Sequence, residues 1–217
     1  MARIRYRDFG VFLALVLIGG CNNVTQSPIT QKTQPAQAAA QNPIVRAARA
    51  QLEKPAQYSG AYYKIDYPMG DVPANRGACT DVIIRALRPV GIDLQKAVQE
   101  DAKVRMYPRM LIPDRNIDHR RCPNLIHYFS NHAESIPSKT KEQSTKNIKP
   151  GDIIFWKLPG NKDHVGIASD ASSPKGHPLI IHNIGPHVKE EDVLFRWPIV
   201  AHFRIEPLIH HGTNSSR

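Results

Sequence analysis

The chain is short of several things, and each shortage narrows its chemistry. It has three cysteines in 217 residues, too few for a disulfide scaffold. It has two tryptophans and 7% aromatic residues, with no aromatic–basic interleaving of the kind that stacks single-stranded nucleic acid. No helix-turn-helix, zinc-finger or ribonucleoprotein motif is present, so nucleic acid is not an expected partner. No His, Cys, Asp or Glu pair has metal-ligand spacing, and no metal or organic cofactor is expected. Acidic residues are outnumbered 19 to 29 by lysine and arginine, a net charge of +10. The basic residues are scattered rather than clustered, which reads as a solvated surface, with binding to an anionic surface such as cell wall or lipid headgroups as the alternative. The longest apolar run, Val11 to Ile18, falls short of the ~20 residues that cross a bilayer.

That run has a meaning of its own. Arg3, Arg5 and Arg7 precede it, and Leu17-Ile18-Gly19-Gly20-Cys21 follows. A basic start, a short apolar stretch and small residues before a cysteine resemble a bacterial lipoprotein signal. The resemblance implies export, removal of residues 1–20 and lipidation of Cys21, with a plain exported protein as the alternative. Asn22 stands where Asp would signal inner-membrane retention, so the address leans to the outer membrane. The mature chain would carry 26 basic and 18 acidic residues, a net charge of +8. Residues 22–41 are Gln-, Ala- and Pro-rich without periodicity, a tether.

A folded domain is expected over 43–206, with a tail at 207–217. Asn42-Pro43 starts a short helix with Ile44, Ala47, Ala48 and Leu52 on one face. Residues 56–78 form a long loop bearing Tyr58, Tyr62, Tyr63 and Tyr67, either a groove wall or packing beneath the loop. Val82, Ile83, Ala86 and Leu87 recur at helical spacing after Cys79, with Thr80 or Asp81 as cap. Asp93 caps a third helix, and Asn124 begins a fourth that runs to His132. Then the pattern changes. Strands are expected at 153–158, 164–168, 179–184 and 200–205, with a further one at 195–197. Helices followed by an antiparallel meander indicate an α+β fold.

Cys79 is the chemical focus. A thiol at a helix start faces free N–H groups and the positive end of the helix dipole, which favour thiolate. A cysteine nucleophile needs a base and a group that holds the base. Of ten histidines, two stand out by context: His164 opens a strand after a hairpin loop, and His182 lies within the next strand. If Gly166 pairs with His182, His164 becomes a diagonal same-face neighbour of His182. Asn183 is the rival of His182, but its parity points to the opposite face. If Cys21 carries lipid, Cys79 and Cys122 remain, and in an oxidising compartment a bond between them would silence the nucleophile.

Cys79 at a helix start, Pro150-Gly151-Asp152-Ile153-Ile154-Phe155 and His164-Val165-Gly166-Ile167 resemble the NlpC-type cell-wall cysteine peptidases. The resemblance implies a papain-like fold with Cys79 as nucleophile, His164 as base and His182 as third member. A narrower likeness is carried by Gly70-Asp71-Val72-Pro73, Cys79-Thr80-Asp81-Val82, the run from Pro113 to Arg121, and Leu179 to Gly185. Together these motifs resemble the YijF-like bacterial exported family, a domain of unknown function in the same superfamily. One departure matters. NlpC-type enzymes usually have Asp-Cys-Ser at the nucleophile, where the Asp holds the stem-peptide amine; here the triplet is Ala78-Cys79-Thr80. Asp71, Asp81, Asp114, Asn116, Asp118, His119 and Asn183 are the candidate substrate-binding residues in its place.

The expected activity is hydrolysis of a peptide amide of peptidoglycan, in the periplasm, with membrane attachment through Cys21. The competing classes are a non-catalytic envelope-binding lipoprotein and an acyl or thioester hydrolase acting on lipids.

Overall fold

The computed structural model describes residues 42–137 and 147–205. The expected leader, Cys21, the tether and the tail from 207 lie outside the described residues.

Four helices come first. Helix α1, Pro43–Ala50, is capped by the Asn42 side chain, which accepts from Ile44 N–H at 2.9 Å. The same amide donates to the Pro150 carbonyl and fills the space beside Gly151, whose φ of 91° suits glycine. Helix α2 is Cys79–Leu87 and α3 is Leu94–Asp101, the latter capped by Asp93 as expected. Helix α4, Cys122–His132, starts two residues before the expected Asn124. Pro123 sits in its first turn, where the missing N–H costs nothing. Asn124 instead turns inward and donates to the Asp118 carbonyl.

Two short strands, β1 (Gln57–Tyr58) and β2 (Arg76–Gly77), pair in parallel. The main sheet comprises β3 (Glu134–Ser135), β4 (Ile153–Leu158), β5 (Lys162–Ser172), β6 (Pro178–Asn183), β7 (Val188–Glu191) and β8 (Ile199–Arg204). Its order is β3-β8-β4-β5-β6-β7, with every neighbouring pair antiparallel. The fold is therefore α+β, with the Cys79 helix packed on an antiparallel sheet.

Alternation along the strands divides the core in two. Ile153, Phe155, Val165, Ile167, Ile181 and Phe203 join α1, α2 and α4 in one cluster. Ile154, Trp156, Ala168 and Ile180 face the other way, against Val193 and Leu194. The 195–197 run is no strand but part of a turn over this second face. Trp156 Nε1–H donates to the Leu194 carbonyl there at 2.9 Å, which satisfies the buried indole. The Pro150-Gly151-Asp152 motif is structural. Buried Asp152 accepts from Arg204 Nε at 2.9 Å, lies 2.7 Å from His202 Nε2, and so ties the start of β4 to β8. No helix among the described residues is long and apolar enough to cross a membrane.

Candidate functional site

Cys79 is the first residue of α2, after Ala78 in extended conformation. Asp81, in the first turn, reaches back to accept from the Ala78 N–H at 2.6 Å, half of a capping box. Cys79 as a residue is 7% exposed. Its neighbours are Cys122, with the two sulfurs 4.0 Å apart, the His164 imidazole and the Val165 N–H. Hydrogen bonding from Cys122 and from His164 and Val165 holds the Cys79 thiol well below the usual thiol range, against the opposing effect of burial. The thiol of Cys122 is pushed well above that range by its bond to Cys79, and then by burial.

The strand register is the one on which the same-face reading of His164 and His182 depended. Gly166 pairs with His182, and His164 Nε2 lies 2.7 Å from His182 Nδ1. A Cβ on Gly166 would stand 2.5 Å from Ile180 Cγ2 and 3.1 Å from His182 Cβ, so glycine is what lets the strand carry the His182 ring here. His182 Nε2 lies 3.0 Å from Glu191 Oε1. Burial first, then the neighbouring His164, hold His182 down at about 4, so it is neutral at neutral pH.

These contacts fix the tautomers. A carboxylate only accepts, so His182 carries its proton on Nε2 and presents Nδ1 as an acceptor. His164 must then donate from Nε2. Its remaining nitrogen, Nδ1, can accept the Cys79 proton and, once protonated, donate to the thiolate. The chain Glu191–His182–His164–Cys79 thus points a basic nitrogen at the thiol. Glu191 is absent from the sequence-based candidates. Strand parity offered a signal, because Lys189 pairs with His182 and Glu191 lies two residues on, on the same face.

Tyr58, 47% exposed, also belongs to this neighbourhood. Burial and the charge on Cys79 raise its phenol above the ordinary tyrosine range. The other loop tyrosines make structural contacts. Tyr62 O–H donates to Asp114 at 3.0 Å, Tyr63 bonds Ser59 at 2.9 Å, and Tyr67 lies under the Arg115 guanidinium.

Most of the candidate substrate contacts have other work. Asp81 is 2% exposed and forms two hydrogen bonds with Arg120, at 2.8 and 2.9 Å; no ligand reaches it. Asp118 is fully buried, bonded to Asp114 N–H and Gln99. Asn183 is fully buried and donates to the carbonyls of Ala56 and Gly77, fastening the segment before Cys79 to β6. His119 is buried too. The structure thus buries all four: Asp81, Asp118 and Asn183 are engaged in bonds within the chain, and His119 lies buried next to Asp118 in sequence. Asp71 is accessible but held by Arg85 and Arg88. Asp114 and Asn116 are half-buried, bonded to each other and to Tyr62, with Asn116 also accepting from Ile65 N–H. Among the described residues no three His, Cys, Asp or Glu converge as a metal cage would require.

His119 carries a prediction of its own. Its Nδ1 is buried without a partner among the described residues, and burial followed by Arg120 lowers its pKa to about 4. The unfolded chain binds this proton near pH 6.5, the folded chain near 4. The neutral ring therefore contributes stability in full above about pH 6.5, which is lost as pH falls towards 4, at most about 3 kcal/mol. Urea unfolding at pH 7 and pH 4.5 should show His119→Phe losing less stability on acidification than the parent.

The chain is 45% identical over 166 residues to the uncharacterized protein YijF of Escherichia coli (strain K12), covering 74% of this chain and 80% of that one. Among solved structures it is similar to NlpC1 from Trichomonas vaginalis, at 19% identity and a TM-score of 0.41. That similarity covers 75% of this chain and 44% of that one, so the chain spans less than half of the NlpC1 structure. The family model described as a domain of unknown function, DUF1287, matches residues 45–205. On that match and the YijF relationship, the chain belongs to the DUF1287 family.

Proposed function

We propose that this protein is a papain-like cysteine amidase of the bacterial cell envelope. Its carrying observation is the bonded series Glu191–His182–His164 ending at a thiol held at a helix start. Cys79 attacks an amide carbonyl as thiolate, and His164 Nδ1 takes the thiol proton and returns it to the leaving amine. The Cys79 N–H, free of helical bonding in the first turn, stabilises the oxyanion. His182 is a positioning residue, and Glu191 holds its tautomer.

The substrate is a peptide amide of peptidoglycan stem peptides. The leader-like N-terminus and the lipidation-type cysteine, Cys21, support an envelope address, periplasmic and anchored to the outer membrane. A basic mature chain suits an anionic wall. With Ala78 in place of an acidic selector, recognition of the substrate amine falls to other groups. Asp71, Asp114 and Asn116 are the polar candidates that are not fully buried, and Tyr58 is a further candidate.

Mass spectrometry of purified muropeptides and of lipid extracts, each incubated with the protein, tests this reading. Cleaved stem peptides with unchanged lipids are expected. Lipid turnover instead, or turnover of neither, would reject it.

Positioning has a separate signature. His182→Ala is expected to lower kcat by roughly a hundredfold or more, with little change in KM. Glu191→Gln should be worse than Glu191→Ala, because an amide can donate to His182 Nε2 and reverse both imidazole tautomers. Equal loss in the two Glu191 variants would show that tautomer control is not its role.

A further inference from the structure

Cys122 has no part in the hydrolytic scheme, yet its sulfur lies 4.0 Å from that of Cys79. Both cysteines are free thiols, each is the first residue of its helix, and they come from helices 43 residues apart in sequence. Their exposures are 7% and 6%. A disulfide needs about 2 Å between sulfurs. The two side chains therefore have to close about half the present gap, with no third group between them.

We propose that Cys79 and Cys122 form a reversible oxidation site, in which a small peroxide converts the pair to an intramolecular disulfide that shuts the nucleophile off. The regulatory meaning rests on Cys79 being the nucleophile; the oxidation itself does not.

Burial selects the oxidant. A protein thiol oxidase must form a mixed disulfide with one sulfur, and neither is open to another protein. A hydroperoxide is small enough to enter. The Cys79 thiolate attacks one peroxide oxygen, an S–O bond forms and the O–O bond breaks. The departing hydroxide, or alkoxide, takes a proton, leaving a sulfenic acid on Cys79. Cys122 Sγ then attacks the Cys79 sulfur. The S–S bond forms, the S–O bond breaks, and the second hydroxide leaves as water with the Cys122 proton. Two thiols lose two electrons, and hydrogen peroxide becomes two waters.

The order of events follows from the site. Hydrogen bonding from Cys122, then from His164 and the Val165 N–H, favours the Cys79 thiolate, while Cys122 keeps its proton beside it. Cys79 is therefore the attacking sulfur and Cys122 the resolving one. A resolving thiol in contact intercepts the sulfenic acid before a second peroxide can carry it to the irreversible sulfinic acid. An exported hydrolase would gain an off-state that a dithiol reductant reverses.

Peptide mapping of the full-length reduced protein after titration with hydrogen peroxide tests the proposal. Trypsin places the cysteines in separate peptides, Gly77–Arg85 and Cys122–Lys139, distinct from any containing Cys21. The expected result is one linked pair of these peptides, loss of Cys79 alkylation, and full recovery of both with dithiothreitol. In Cys122→Ser, and in Cys122→Ala as a second packing variant, Cys79 should instead reach sulfinic and sulfonic acid and not recover. Three results would overturn the proposal in the parent protein: both thiols surviving peroxide, sulfinic acid accumulating as fast as in the variants, or bonds to Cys21 or between chains. Absence of amide turnover in the reduced protein would reject the hydrolase reading and leave the linked peptide untouched, so the two failures are separable.

Discussion

Cys79→Ala is expected to lower hydrolysis of stem-peptide amides by about a million-fold, to a rate set by binding and the oxyanion donor alone. The size follows from how the site works as a unit. His164 Nδ1 has no proton to take once the thiol is gone, and the Glu191–His182–His164 chain then orients a base towards nothing. Cys79→Ser should lose almost as much. A serine hydroxyl keeps its proton where the thiol is held well below its usual range. Neither change leaves a large cavity, so circular dichroism and the unfolding midpoint should stay close to the parent's. A variant that keeps its fold and more than a tenth of the activity would place the chemistry elsewhere, or in a contaminant.

The second large effect is on stability, and it lies directly behind the nucleophile. Asp81 and Arg120 form a bidentate ion pair with side-chain exposures of 3% and 2%. Arg120 also donates to the Ala61 carbonyl at 3.0 Å, and its guanidinium lies over the Tyr63 ring. Thr80 Oγ1 donates to the Arg120 carbonyl at 3.1 Å. This knot joins the first turn of α2 to the loop before α4, and so fixes Cys79 relative to Cys122. Removing one partner leaves a buried charge unpaired. Arg120→Leu or Asp81→Leu should therefore each cost about 3–5 kcal/mol. At this size that corresponds to a fall in Tm of roughly 6–20 °C. Replacing both residues by Leu and Met should recover much of the loss, since no orphan charge remains. A double variant as unstable as the sum of the singles would mean that the bonds to Ala61 and Ala78, not the charge pairing, hold the knot.

Much of this arrangement was legible before any coordinates. Parity along the strands decides which face each residue takes, even though residues 153–156 and 164–169 are buried on both faces. That is why His164 and His182 could be placed on one face, given the assumed pairing of Gly166 with His182 that the structure bears out. Asn42-Pro43 and Asp93 announced their helices through side chains that satisfy free N–H groups.

What escaped the sequence did so for physical reasons. Strand β7 reads Val-Lys-Glu-Glu, with no apolar alternation, because it is a sheet edge and edges carry charge. Glu191 was hidden with it. The 195–197 run is apolar enough for a strand, yet those side chains cover the second face of the sheet from a turn. The polar run from Asp114 to Arg121 reads as an ordered polar loop or a surface, and nothing local shows that tertiary contact buries Asp118, His119 and Arg120. The approach of Cys122 to Cys79 is tertiary as well. No local pattern links two helix starts in different parts of the chain.

The most direct test of the central claim is the rate of iodoacetamide alkylation at Cys79 and Cys122, followed by peptide mass spectrometry from pH 4 to pH 10. An activated Cys79 should label much faster than Cys122 at neutral pH, with its rate midpoint well below 9, and His164→Ala should move that midpoint upward. If Cys122 labels first, or if the Cys79 rate rises only near pH 9 with or without His164, then Cys79 is an ordinary buried thiol and the catalytic account fails.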